Sequence, residues 1–110
     1  MKAKSRSAAL ADRDLYSGLI RLHVLHHAVE EPIFGFGMAE ELARRGYKIS
    51  AGTLHPLLRG LERKGYLHSW RERGDNSVRL MFRATPLGRQ ALEAAKVKIR
   101  ELFAEFLKGD

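Results

Sequence analysis

The chain has 110 residues, of which 20 are Lys or Arg, 13 are Asp or Glu and none is Cys. That length fits one domain, the 45% hydrophobic content rules out a wholly disordered chain, and the absence of thiols excludes disulfides, Cys nucleophiles and Cys-based zinc sites. The net charge of +7 points to a polyanionic partner. No apolar run reaches the roughly 20 residues of a membrane span. The basic start, Met1-Lys2-Ala3-Lys4-Ser5-Arg6, is not followed by the apolar stretch of a secretory signal, so the expected location is the cytoplasm, with no membrane partner.

Residues 1–9 are polar, small and basic, and are expected to form a disordered tail, either solvated or trailing onto phosphates. Residues 10–29 read as the first helix. Leu15, Leu19, Leu22 and Val29 share a face, and Ile20, Val24 and Leu25 widen it enough to imply burial on two sides. Glu30-Glu31-Pro32 ends it, because the residue before a proline is pushed out of the helical region. Residues 33–37, Ile-Phe-Gly-Phe-Gly, read as a loop. A short second helix is expected over 38–45, with Met38, Ala39 and Leu42 inward and Gly46 as its left-handed cap.

A third helix runs to about residue 64, with Leu54, Leu57, Leu58 and Leu61 on one face. Two starts compete. Ser50 is a good N-cap but puts Pro56 beyond the free N–H groups, whereas a cap at Thr53 would put Pro56 in the first turn. Residues 66–72 and 78–84 read as strands joined by the turn cluster Arg73-Gly74-Asp75-Asn76-Ser77, a β-hairpin. Thr85 caps and Pro86 opens the last helix, which runs to about residue 107. Along it Leu92, Ala95, Ile99, Leu102 and Phe106 recur at alternating spacings of three and four, the seam of a coiled coil, and Phe103 broadens it. The fold class is therefore mostly α with a small β-hairpin: a winged helix-turn-helix over 10–85 and a C-terminal dimerisation helix over 86–110.

The third helix is the candidate recognition helix. Ser50, Gly52, Thr53 and His55 stand at its positive end, where small residues permit close approach, and free N–H groups and hydroxyls favour phosphates and base edges. Arg59, one turn on and on the same side, can reach a base or a phosphate. Its alternative is an ion pair with Glu62 at i+3. Lys48 precedes the helix, and Arg71, Arg73 and Arg79 arm the wing.

Residues 50–67, Ser-Ala-Gly-Thr-Leu-His-Pro-Leu-Leu-Arg-Gly-Leu-Glu-Arg-Lys-Gly-Tyr-Leu, closely resemble the recognition segment of PadR-like transcriptional regulators. That family's pattern is roughly Ser-x-Gly-Thr-Leu-Tyr-Pro-Leu-Leu-x-x-Leu-Glu-x-x-Gly followed by two hydrophobic residues. Phe34-Gly35-Phe36 with Glu41-Leu42 looks like its Tyr-Gly-Tyr…Leu stretch, and Phe82-Arg83-Ala84-Thr85…Gly88 looks like its Tyr-x-Leu-Thr…Gly. The likeness covers about residues 15–92, and the single C-terminal helix resembles the compact subfamily. It implies a homodimer built from the first and last helices, with Leu15 and Leu19 on the first helix's pairing surface, binding a palindromic operator as a repressor or activator, with repressor the expectation. Ser50, Gly52, Thr53, His55 and Phe36 would then lie at the DNA. His55 stands where the family usually has Tyr, Phe36 and Phe82 lack its hydroxyls, and Leu80 replaces a common basic residue of the wing.

Other readings compete for particular residues. Tyr16, Trp70, Phe103 and Phe106 are candidates to line a cavity between subunits for a small hydrophobic effector, which the resemblance also implies; their alternative is core packing. His23 and His27, at i and i+4 with His26 beside them, have the spacing for a shared metal, but no third ligand is evident, so no metal or other cofactor is expected. The chain has no phosphate-binding glycine loop, zincin motif or nucleophile motif, so no enzyme is expected. The alternatives to DNA regulation are a winged-helix module that binds another protein through its last helix, and a metal-responsive regulator.

Overall fold

The computed structural model describes residues 12–109; the expected tail at 1–9 lies outside them. The elements follow as α1 (Arg13–Glu30), β1 (Ile33–Phe34), α2 (Gly35–Arg44), α3 (Ala51–Arg63), β2 (Leu67–Arg73), β3 (Val78–Ala84) and α4 (Pro86–Gly109). The first helix starts three residues later than expected because Asp12 caps it, its carboxylate accepting the Leu15 N–H at 3.2 Å. Glu31, extended before Pro32, ends it.

Residues 33–37 do not form a loop. Ile33 and Phe34 pair antiparallel with Phe82 and Met81, making a third strand in a sheet of order β1-β3-β2 where sequence implied a two-stranded hairpin. Gly35 to Gly37 then form the first turn of α2. The glycine at 37 serves close packing: a Cβ there would lie 3.0 Å from the Phe34 ring, which folds back over the turn.

Helices α2 and α3 end alike. Gly46 and Gly65 take φ values of +92° and +85°, and the next residue's N–H, of Tyr47 or Tyr66, bonds back to the carbonyl of Leu42 or Leu61 at 3.0 Å. These are left-handed glycine stops that satisfy the last carbonyls. The α3 start is settled in favour of Ser50, whose Oγ accepts the Thr53 N–H at 3.1 Å. Pro56 therefore sits inside the helix and, having no N–H, cannot donate to the Gly52 carbonyl one turn earlier.

One core joins all the layers. Ile20, Val24, Leu25 and Ala28 of α1 meet Leu42 of α2, Leu54, Leu58 and Leu61 of α3, Leu67, Phe82 and Ala84 of the sheet, and Leu92 of α4. The expected α1 stripe is thus divided. Its core-facing side centres on Ile20 and Val24, while Leu15 and Leu19 stay 66% and 44% exposed. Leu92, assigned from its seam spacing to the pairing face, packs instead into its own domain. The cause is Gly88, one turn earlier and buried: a Cβ there would stand 2.2 Å from the Tyr66 carbonyl oxygen, so only glycine lets α4 lie this close. Thr85 completes the junction, donating through Oγ1 to the Gly65 carbonyl and accepting the Gly88 N–H at 3.0 Å. Beyond Lys96 every residue of α4 up to Gly109 is exposed.

Candidate nucleic-acid interface

Helix α2, the Gly46 turn and α3 form a helix-turn-helix, held by Leu42, Ile49, Leu54 and Leu58, all buried. The inward leucines fix the rotation of α3 and leave Ser50, Gly52, Thr53 and His55 exposed on its first turns. Ser50 and Thr53 share a hydroxyl contact of 3.0 Å in addition to the cap. No acidic residue lies in that first turn, so the positive end of the helix is unopposed. Lys48 is exposed just ahead of it, and Phe36, 64% exposed, stands in the first turn of α2.

The wing hairpin turns at Gly74, whose N–H meets the Ser77 carbonyl at 2.6 Å. Arg71, Arg73 and Arg79 are exposed along it. Arg79 also lies over the Phe34 ring at 4.6 Å, tying the wing to β1. Trp70 stacks on His68 and donates from its indole to Glu72 at 3.3 Å.

Arg59, one turn on from His55, makes the ion pair with Glu62 that its i+3 spacing allowed. It is half-buried and turned toward the wing. Its Nη1 contacts Glu62 Oε1 at 2.6 Å and Ser69 Oγ at 3.3 Å, and its guanidinium lies 5.8 Å from the Phe82 ring centre. Ser69 Oγ donates to the other Glu62 oxygen. These bonds, from Ser69 first and then Arg59, hold the Glu62 carboxyl below the usual carboxylate range. The i+3 spacing pointed to the ion pair; nothing in sequence pointed to Ser69, which reaches α3 only through the fold.

His23 and His27 face α2 and its turn, while His26 is exposed and meets the edge of the His27 ring at 5.3 Å. His23 packs edge-on to Tyr47 at 5.3 Å, and His27 Nε2, shielded and without a hydrogen bond, stands 3.8 Å from Glu41 Oε2. Burial, the largest cause, pushes both His23 and His27 below the ordinary histidine value. Glu41 is already held by Arg44 at 2.6 Å and Arg45 at 2.9 Å, and the Arg44 hydrogen bond lowers its carboxyl. Among the described residues no three His, Cys, Asp or Glu gather as a metal site.

The four residues expected at an effector cavity sit on separate elements of one chain. Tyr16 packs against Tyr47, Trp70 lies in the wing, and Phe103 and Phe106 stand on the exposed half of α4; a shared cavity would require a second copy. Of the expected pairing residues, Leu15, Leu19, Ile99, Leu102, Phe103 and Phe106 are exposed, Ala95 is half-buried and Leu92 is in the core. Val97 and Leu107 join the exposed stripe. Among the described residues no helix is long and apolar enough to cross a membrane.

An exposed helix start flanked by an arginine-bearing hairpin, on a helix-turn-helix, defines the winged-helix class of DNA-binding regulators. Residues 24–94 match the Transcriptional regulator PadR-like family. The chain is 41% identical over 97 residues to Transcriptional regulator Rv3488 of Mycobacterium tuberculosis, covering 88% of this chain and 91% of that one. Among solved structures it is similar to a PadR family transcriptional regulator from Eggerthella lenta, with a TM-score of 0.79 and 29% identity over 98% of this chain and 96% of that one. The fold is also that of a PadR-like regulator from Bacillus cereus, with a TM-score of 0.74 at 19% identity over 88% of this chain and 99% of that one. The protein belongs to the PadR-like family of transcriptional regulators, and is a regulator and not an enzyme.

Proposed function

We propose that the protein is a homodimeric repressor that reads a palindromic operator in double-stranded DNA. The observation that carries the reading is the pairing of two surfaces on one small body: the open first turns of α3, and an apolar stripe on α4 with no partner among the described residues. Leu15 and Leu19 of α1 and six side chains of α4, Val97, Ile99, Leu102, Phe103, Phe106 and Leu107, are 42% to 66% exposed. At about 100 Å² each they offer roughly 800 Å² per chain, the per-partner area of a standard interface. A second copy is the partner that the heptad-like spacing fits.

Ser50, Thr53 and His55 read base edges, the α3 N–H groups and Lys48 take phosphates, and Arg71, Arg73 and Arg79 grip the flanking duplex. The described residues of each chain measure 50 × 34 × 20 Å, so a pair spread over two turns of duplex would occlude a promoter by occupancy. If roughly 6–10 phosphates are neutralised per dimer, affinity falls by about 10³–10⁵ between 50 and 200 mM salt. Selection from randomised duplexes with purified protein tests the reading. It should yield an inverted repeat with half-site centres about 34–36 Å apart. No enrichment, together with tight co-purification of another protein, would favour the interaction-module alternative.

A further inference from the structure

We infer that Arg59, Glu62 and Ser69 form a brace that sets the wing at a fixed angle to the reading helix, so that Arg59 acts on DNA recognition as a positioning residue and not as a contact. The inference rests on the DNA-reading function proposed above. Three chain segments meet at this point. Glu62 and Arg59 lie on the last turns of α3, Ser69 is the third residue of β2, and Phe82, under the Arg59 guanidinium, is its register partner on β3. Glu62 uses one oxygen for Arg59 and the other for Ser69, and Arg59 closes the ring with its own 3.3 Å bond to the Ser69 hydroxyl.

The arrangement lies where the wing leaves the body. Phe82 is 1% exposed and anchors the sheet in the core, whereas from Arg71 outward the hairpin is solvated on β2. Ser69 and Gly74 are five residues apart, which at about 3.3 Å per residue makes a lever of roughly 16 Å. A tilt of about 10° at its base moves the turn by about 3 Å, enough to take an arginine out of reach of its phosphate. The Glu62 carboxylate is also an unsuitable neighbour for DNA unless its charge is met. Arg59 meets it, and thereby spends its own charge inside the protein.

The test is a double-mutant cycle on the selected operator, using the full chain. In the wild-type background Arg73→Ala should weaken binding about tenfold; in the Glu62→Gln background, where the charged brace from α3 is lost, it should cost only about twofold. Ser69→Ala should behave like Glu62→Gln, and Ser69→Thr, which keeps the hydroxyl, should restore the wild-type cost of Arg73→Ala. Hydroxyl-radical footprints of Glu62→Gln should lose the flanking protection and keep the central one. Circular-dichroism melts identify folded variants, and Ser69→Ala, which deletes a single hydroxyl, serves if Glu62→Gln unfolds. An equal cost of Arg73→Ala in both backgrounds overturns the brace. So does tighter binding by Glu62→Gln, which would mean that freed Arg59 seeks the duplex. A wild-type protein that binds no duplex overturns the DNA reading itself, and is distinguished by needing no variant.

Discussion

Replacing both Phe103 and Phe106 by Ser should separate the dimer while leaving the domain folded. The two rings are 61% and 63% exposed in the isolated chain, so their removal opens no cavity in its own core. Each ring has about 100–150 Å² left to bury, or about 3 kcal/mol at 25 cal/mol/Å². Two rings in each of two copies set an upper limit of about 12 kcal/mol. If only a third of this is realised across the interface, the loss of about 4 kcal/mol raises the dimer dissociation constant by nearly a thousandfold. Sedimentation equilibrium across a concentration series reads that constant directly, and far-UV circular dichroism reports the fold. Operator binding should fall in parallel, since a single half-site cannot hold the duplex as two do. An unchanged dissociation constant would refute the pairing surface. A fall in monomer melting temperature beyond a few degrees would show that the two rings support their own chain.

Gly88→Ala should be strongly destabilising, because its Cβ would meet the Tyr66 carbonyl oxygen at 2.2 Å. A cost of about 2–3 kcal/mol lowers the melting temperature by roughly 10–20 °C, whereas a drop under 2 °C would deny the tight junction. Ser50→Ala removes the acceptor of the Thr53 N–H and should cost about 1 kcal/mol in urea unfolding, with operator affinity falling as well. Burial depresses the His27 and His23 pKa values, so the unfolded chain binds more protons as pH falls below the ordinary histidine value of about 6.5. Stability should therefore be full above that pH, decline as pH drops through the window down to the lowered folded values, and decline less in His27→Gln. A flat urea midpoint between pH 7.5 and 5 would contradict this. Acid loss from Glu41 and Glu62 lies lower, because their depressed carboxyls give stability that disappears only as pH falls below the ordinary carboxylate range.

The local signals in this chain were legible because they are local. Ser50 and Gly46 act within one turn of themselves, as does Thr85 in capping α4, and β3 spans 78–84 as expected. The segment at 33–37 misled because glycine there looks like freedom, while its use is to admit the Phe34 ring. Leu92 misled because the α4 stripe is continuous in sequence but serves two neighbours, the core near Gly88 and solvent beyond Lys96. Arg59 could be read two ways from spacing alone. The structure shows the ion pair, joined by Ser69, ten residues on and brought alongside by the turn at Gly65.

The junction of α4 with the body has a mechanical consequence. Thr85 is bonded to Gly65, and Gly88 lies against Tyr66, so the last helix is riveted to the very turn that ends the reading helix. Steering one therefore steers the other. In the proposed dimer, a change in how two such shafts cross would swing both reading ends through space without unfolding a single turn, turning a change at the far tip into a change in stride along the duplex.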